Sequence, residues 1–193
     1  MRNRAVAYVT YGQLGLAFFL AVCVALHPGL VLKANEGGMS NYGIHLKTTV
    51  AYTLALGLPA LMSYWAAPLF DQDGLSTRRF SLFLRLYSLV ALLTLLSTYP
   101  YSLDVVLRDL HIVFGSALII FETVGGVWLS RLRPYVGRDR LLVIALLAGF
   151  ILATVTIAGA LHVLFLSQVL TSGAFAILLV RTAKSLAVDS HSS

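Results

Sequence analysis

Of the 193 residues, 59% are apolar and only 11% are charged, where soluble domains carry about a quarter charged residues; the mean hydropathy is +0.86. These figures exclude a soluble globular protein and point to an all-α integral membrane protein. The length accommodates six spans of about 20 residues with short loops, as a single membrane domain over 1–193 without a separate soluble one.

The first apolar run, residues 5–26, follows Met1-Arg2-Asn3-Arg4 and resembles a secretory signal. It is too long for a signal core, and His27-Pro28-Gly29 is not a small-residue cleavage site, so it is expected to remain as span one. Tyr8 and Tyr11 stand near one end as interfacial anchors. Gln13 is costly in hydrocarbon unless a neighbouring helix supplies a partner, so it is expected to face other helices. The single cysteine, Cys23, has no disulfide partner and reads as a small packing residue.

Residues 36–48 form the longest polar run between two membrane-length apolar segments. Span two, 48–67, contains Pro59, which removes a backbone donor and kinks a helix. Residues 68–79, with Asp71, Asp73, Gly74, Arg78 and Arg79, read as a loop. Span three covers 80–99 and ends at Pro100. A polar connection with Asp104 leads to span four, 109–129, and then to a loop over 131–140 with four arginines and one aspartate. Residues 141–180 hold no formal charge, twice the length of one crossing. Their only break, Gly159-Ala160-Leu161-His162, predicts a tight hairpin between spans five (141–159) and six (162–182). The tail after Lys184 is expected to fray.

A net charge of +6 would point to nucleic acid in a soluble protein, but here its distribution matters more, and no nucleic-acid partner is expected. Of the 14 Lys and Arg residues, all but Lys33, Lys47 and Arg108 fall on one side of a six-span arrangement. The excess of positive charge marks the cytoplasmic side, which predicts a multi-pass cell-membrane protein with both termini cytoplasmic.

That topology gathers His27, His45, His111 and His162 at the outer face, with Glu36, Asp104, Asp109, Ser40, Asn41 and Tyr42. Imidazoles and carboxylates suit zinc or haem iron. The plainer reading is a polar, metal-free pocket, or rings half buried at an interface. His45, His111, His162 and Asp104 are weak metal candidates, since no tight ligand spacing occurs, and histidines at a single depth do not suit a haem relay across the bilayer. No cofactor is expected. Glu122 lies nine positions from Arg131 and fourteen from Arg108, which at about 1.5 Å per residue is deep in hydrocarbon. An ionisable group there faces the bundle interior and is a functional candidate. About three turns separate it from His111, with Gly115 between them on one face, which could line a cleft descending from the outer surface. Alternatively it is a structural acid bonded to Gln13, Gln168 or a Ser/Thr hydroxyl. Walker, Gly-x-Ser-x-Gly and His-Glu-x-x-His signatures are all missing from the sequence.

At Ser40-Asn41-Tyr42-Gly43, just after span one on the outer side, the chain resembles the domain-of-unknown-function 998 family of six-span membrane proteins and, more distantly, the Frag1/DRAM group. Those proteins are similar in carrying a short Ser-x-x-Gly segment in the first outer loop, and His111 near the start of span four fits the same plan. The resemblance implies a six-helix bundle and, on the Frag1/DRAM side, a link to lipid and membrane homeostasis; it implies no defined reaction.

The leading expectation is a non-enzymatic membrane protein whose outer cleft binds a lipid headgroup or small polar ligand through Glu36, Ser40, Asn41, Tyr42, His45, Asp104, Arg108, His111 and Glu122. Glycines 37, 38 and 43 would admit a ligand near the backbone, and Lys33, Lys47 and Arg108 would hold an anionic group. Three alternatives stay open: a metal-dependent hydrolase acting on lipid, a proton-coupled transporter using Glu122, and an accessory subunit of a membrane complex. The expected partners are membrane lipids, with a homo-oligomer or a complex partner as further readings.

Overall fold

The hydropathy pattern becomes a bundle of α-helices in the computed structural model, which describes residues 2–71, 74–99, 105–132 and 137–188. Among the described residues six helices are long and apolar enough to cross a membrane: α1 (Arg2–Leu26), α4 (Thr49–Ala66, continued by a 3-10 turn at Ala67–Phe70), α5 (Gly74–Thr98), α6 (Val105–Arg131), α7 (Gly137–Ile157) and α8 (Leu164–Val188). Two short helices, α2 (Leu30–Gly37) and α3 (Asn41–Ile44), lie between α1 and α4. The protein is thus an all-α, multi-pass membrane protein.

Segments expected as loops are largely helix. α5 begins at Gly74 rather than at residue 80, α6 begins at Val105 rather than 109, and α8 continues through Lys184 to Val188. A helix that runs past the apolar layer keeps its N–H and C=O groups bonded internally, so charged residues such as Arg78, Arg79 and Arg108 become the polar ends of membrane helices. Arg85 therefore lies about three turns into α5. Its guanidinium reaches Asp71 at 2.9 Å.

Five of the six long helices close a ring. α1 packs on α4, α4 on α5, α5 on α6, α6 on α8 and α8 back on α1, while α7 lies outside against α6 and α8. Lipid tails are as apolar as leucine, so close packing rather than water exclusion holds such helices together. Small residues permit it. A Cβ at Gly12 would stand 3.0 Å from Pro59 Cα, and one at Gly15 would stand 2.9 Å from Leu58 Cδ1.

The half of the ring nearer the arginines is filled by Phe70, Phe80, Phe83, Leu84, Leu129, Phe175 and Leu179, joined by Ala5 of α1 and Leu186 of α8. The start of α1 and the end of α8 therefore share one face of the bundle. The opposite face carries α2 and α3 as a cap. At the arginine face, Arg181 Nη1 donates to Asp139 Oδ1 at 2.6 Å, and Asp139 is wholly buried.

Candidate functional site

The polar run 36–48 folds as the cap because its backbone finds partners in α8. Gly38 closes α2 at φ +87°, in the left-handed region that favours glycine. The next N–H, of Met39, donates to Gln168 Oε1 at 2.8 Å, and Leu166 N–H donates to Asn35 Oδ1 at 3.3 Å. Asn41 Nδ2 donates to the Gly38 and Lys33 carbonyls, which folds the cap on itself. Thr48 Oγ1 donates to Tyr42 O at 2.6 Å and Thr49 Oγ1 to Gly43 O at 2.9 Å, tying the cap to α4.

Beneath the cap the ring encloses a cavity of about 60 Å³, room for a few waters. Every ring helix contributes to it: Leu16 from α1, Tyr52 from α4, Tyr87 and Thr94 from α5, His111, Gly115 and Glu122 from α6, and Gln168 and Ser172 from α8. Met39 and Ser40 roof it. A groove of about 360 Å³ between the cap, α6 and α8 adjoins the cavity, sharing Ser40, His111, Gly115, Ile119 and Gln168 with it. Glu36, Asn41 and Arg108 stand on that groove. Cavity and groove together form one cleft that descends from the cap face to Glu122.

Glu122 is 3% exposed, and Ser172 Oγ donates to its Oε2 at 2.7 Å. Among the described residues no ion pair reaches it. A carboxyl so placed in low dielectric must carry a proton or have a cation beside it. Of the partners anticipated for it, a serine hydroxyl is the one used. The Gln168 carbonyl oxygen is occupied by Met39 N–H, and Gln13, although 5% exposed and directed toward Tyr87, reaches no partner in bonding geometry. Gln13 thus faces the other helices, as its cost in hydrocarbon predicts, with its amide turned toward Tyr87 of α5.

His111 is 9% exposed, with Nδ1 3.0 Å from Ser97 Oγ. Ser97 Oγ also donates to the Thr94 carbonyl at 2.9 Å, so this serine fixes the ring against α5. Of the anticipated site residues, Glu36, Ser40, Asn41, Arg108, His111 and Glu122 share the cleft. Tyr42 does not line it: the ring is fully buried against Phe165 and its hydroxyl has no partner. Burial, and behind it the Cys23 thiol, hold the Tyr42 phenol above its ordinary pKa.

His45 also lies apart from the cleft. It packs edge to face on His27 with ring centroids 4.3 Å apart, and its Nδ1 is buried without a partner. Burial, followed by the charges of His27, Lys47 and Lys33, holds its pKa below the ordinary histidine value. His162 is exposed in the α7–α8 turn, and Asp104 lies outside the described residues. Among the described residues no three His, Cys, Asp or Glu side chains converge to hold a metal. Ser172, Tyr52, Tyr87 and Thr94 were not anticipated. Ser172 follows Gln168 by one helical turn, a spacing that places both on one face of α8.

The fold and this cleft define a membrane protein with six long helices and a largely apolar cavity, set with a few polar groups around Glu122, that opens toward one face. Comparison of the chain with family models, with curated proteins and with solved structures gives no match.

Proposed function

We propose that the protein is a multi-pass cell-membrane protein, with both termini cytoplasmic, whose outward cleft binds a lipid headgroup or small polar molecule without chemically transforming it. The observation that carries this reading is the continuity of the groove with Glu122 and Ser172 inside the five-helix ring. Aromatic packing fills the ring on the other side of Glu122, so the cleft has one mouth in this state. The arginines opposite the cap support an outward mouth. Membership of the domain-of-unknown-function 998 family belongs to the same proposal, supported by six long helices and by Ser40, the first residue of the Ser40–Gly43 segment, in the roof of the cavity.

Gly115 supplies the test, because it lines both cavity and groove and a Cβ there meets nothing within 4 Å. In a Cys23→Ala background, Gly115→Cys in sealed cells should react with a small membrane-impermeant methanethiosulfonate. Ala183→Cys, wholly buried in the arginine half, should not. Labelling of Gly115→Cys only in inside-out vesicles would reverse the orientation, and no labelling from either side would remove the cleft. A second reading, proton-coupled transport, is favoured by the absence of an ion pair to Glu122 among the described residues. It requires that Glu122→Gln stop proton uptake into proteoliposomes; unchanged uptake would end it.

A further inference from the structure

At the arginine face, far from the cleft, a second groove of about 450 Å³ runs along the first turns of α5. Arg78, Arg79 and Arg85 line it together with Asp71. Arg85 and Asp71 pair at 2.9 Å, with side chains 48% and 41% exposed. An ion pair that open to solvent contributes little to stability, so it yields readily to a stronger anion. With Asp71 matched to Arg85, the charges of Arg78 and Arg79 are left over, and neither forms an ion pair among the described residues.

A second observation points to a ligand. Ser81 lines the same groove, is 1% exposed, and its hydroxyl has no hydrogen-bond partner. A buried hydroxyl with nothing to bond costs stability, and most such groups are satisfied in folded proteins. Here the orphan hydroxyl belongs to a residue that lines the same groove as three arginines. Phosphate oxygens match that set, since guanidinium forks bind phosphate bidentately and a hydroxyl adds a further donor.

The walls identify the source of the phosphate. Leu75 and Leu82 also line the groove and are 65% and 57% exposed. Arg85 sits about two turns deeper along α5 than Arg78, so the groove passes from the polar end of the helix toward its apolar part. Such a groove fits a molecule with a charged head and an apolar tail. We infer that residues Arg78, Arg79, Ser81 and Arg85 form a binding site for the phosphate of an anionic phospholipid, in the leaflet that faces the arginine-bearing ends of the bundle.

The test uses the full-length protein in detergent with added dioleoylphosphatidylglycerol or dioleoylphosphatidylcholine. Native mass spectrometry counts retained lipid, and thermal unfolding follows stability. The expected result is preferential retention of phosphatidylglycerol with a raised Tm, weakened at least tenfold in affinity by the pair Arg78→Gln and Arg79→Gln. Ser81→Ala deletes a buried hydroxyl that bonds nothing in the protein, so its Tm in phosphatidylcholine should equal or exceed the parent's while phosphatidylglycerol affinity falls several-fold. This variant decides the matter if the arginine pair fails to fold. Equal retention of the two lipids, or unchanged phosphatidylglycerol affinity in Ser81→Ala, would overturn the site. Equal stabilisation by inorganic phosphate would overturn the lipid assignment.

Discussion

Gly43 is the residue on which seating of the cap depends. A methyl added there would stand 2.5 Å from Thr98 Cγ2 and 2.7 and 2.8 Å from the Tyr52 ring carbons Cδ1 and Cε1. Carbon atoms rest at about 3.5–4.0 Å, so the cap would have to lift by about 1 Å or both neighbours would have to move. Neither has room, because Thr98 is wholly buried and Tyr52 is 2% exposed. Overpacking of this kind costs about 1–3 kcal/mol, and the better helix propensity of alanine returns at most about 1 kcal/mol. Gly43→Ala should therefore destabilise the protein by about 1–2 kcal/mol, read as reversible unfolding by dodecyl sulfate in mixed micelles. Thr98→Ser deletes the obstructing methyl but keeps the hydroxyl that donates to Thr94 O at 2.9 Å. In a double-mutant cycle it should recover about half of the loss. A Gly43→Ala protein as stable as the parent, or a cycle with no coupling, would show that the cap is not seated on α4 and α5.

Two further outcomes follow from the charged groups. Arg181→Gln removes the guanidinium that pairs with the wholly buried Asp139 at 2.6 Å; because the Arg181 side chain is 30% exposed, the cost should fall below the fully buried case, at about 2 kcal/mol. Adding Asp139→Asn should restore part of the Tm, and no change in Arg181→Gln would mean the pair does not hold α7 to α8. His45 gives a pH dependence with a defined sign. The folded cap favours the neutral ring beside His27, Lys33 and Lys47, so its stabilising contribution is complete above the ordinary histidine pKa of about 6.5 and is lost as pH falls through and below it. His45→Gln should flatten the profile of cap proteolysis between about pH 5 and 7, and an unaltered profile would assign the effect elsewhere.

The six crossings were legible because each is a sustained apolar run, and the hairpin at Gly159 was legible as the one break in such a run, where the chain takes φ +81°. The ends of α5 and α6 were not. Arg78, Arg79 and Arg108 carry loop-like charge, yet the backbone needs internal hydrogen bonds wherever water is scarce, and that need extends the helix beyond its apolar part. The cap was visible only as a polar stretch: α2 and α3 are eight and four residues long, too short for periodicity to declare them. They exist through contacts with α8 and α4, such as Met39 N–H on Gln168, 129 positions away. The shared face of His111, Gly115 and Glu122 followed from helical spacing alone, whereas Ser172 as the partner of Glu122 depends on which helices become neighbours. Hydropathy carries no information about that order.

The ring is closed by its first and last members, and this sets a sequence of events in synthesis. Ser172 lies 50 residues after Glu122, so at about 5–20 residues per second it emerges roughly 2–10 s later. Throughout that interval the acid has entered the bilayer ahead of its donor, in an arc of helices still missing a wall. A chain halted after Ile157 would leave the carboxyl facing lipid through that gap. Completion of α8 is therefore the step that turns an exposed acid into an enclosed one.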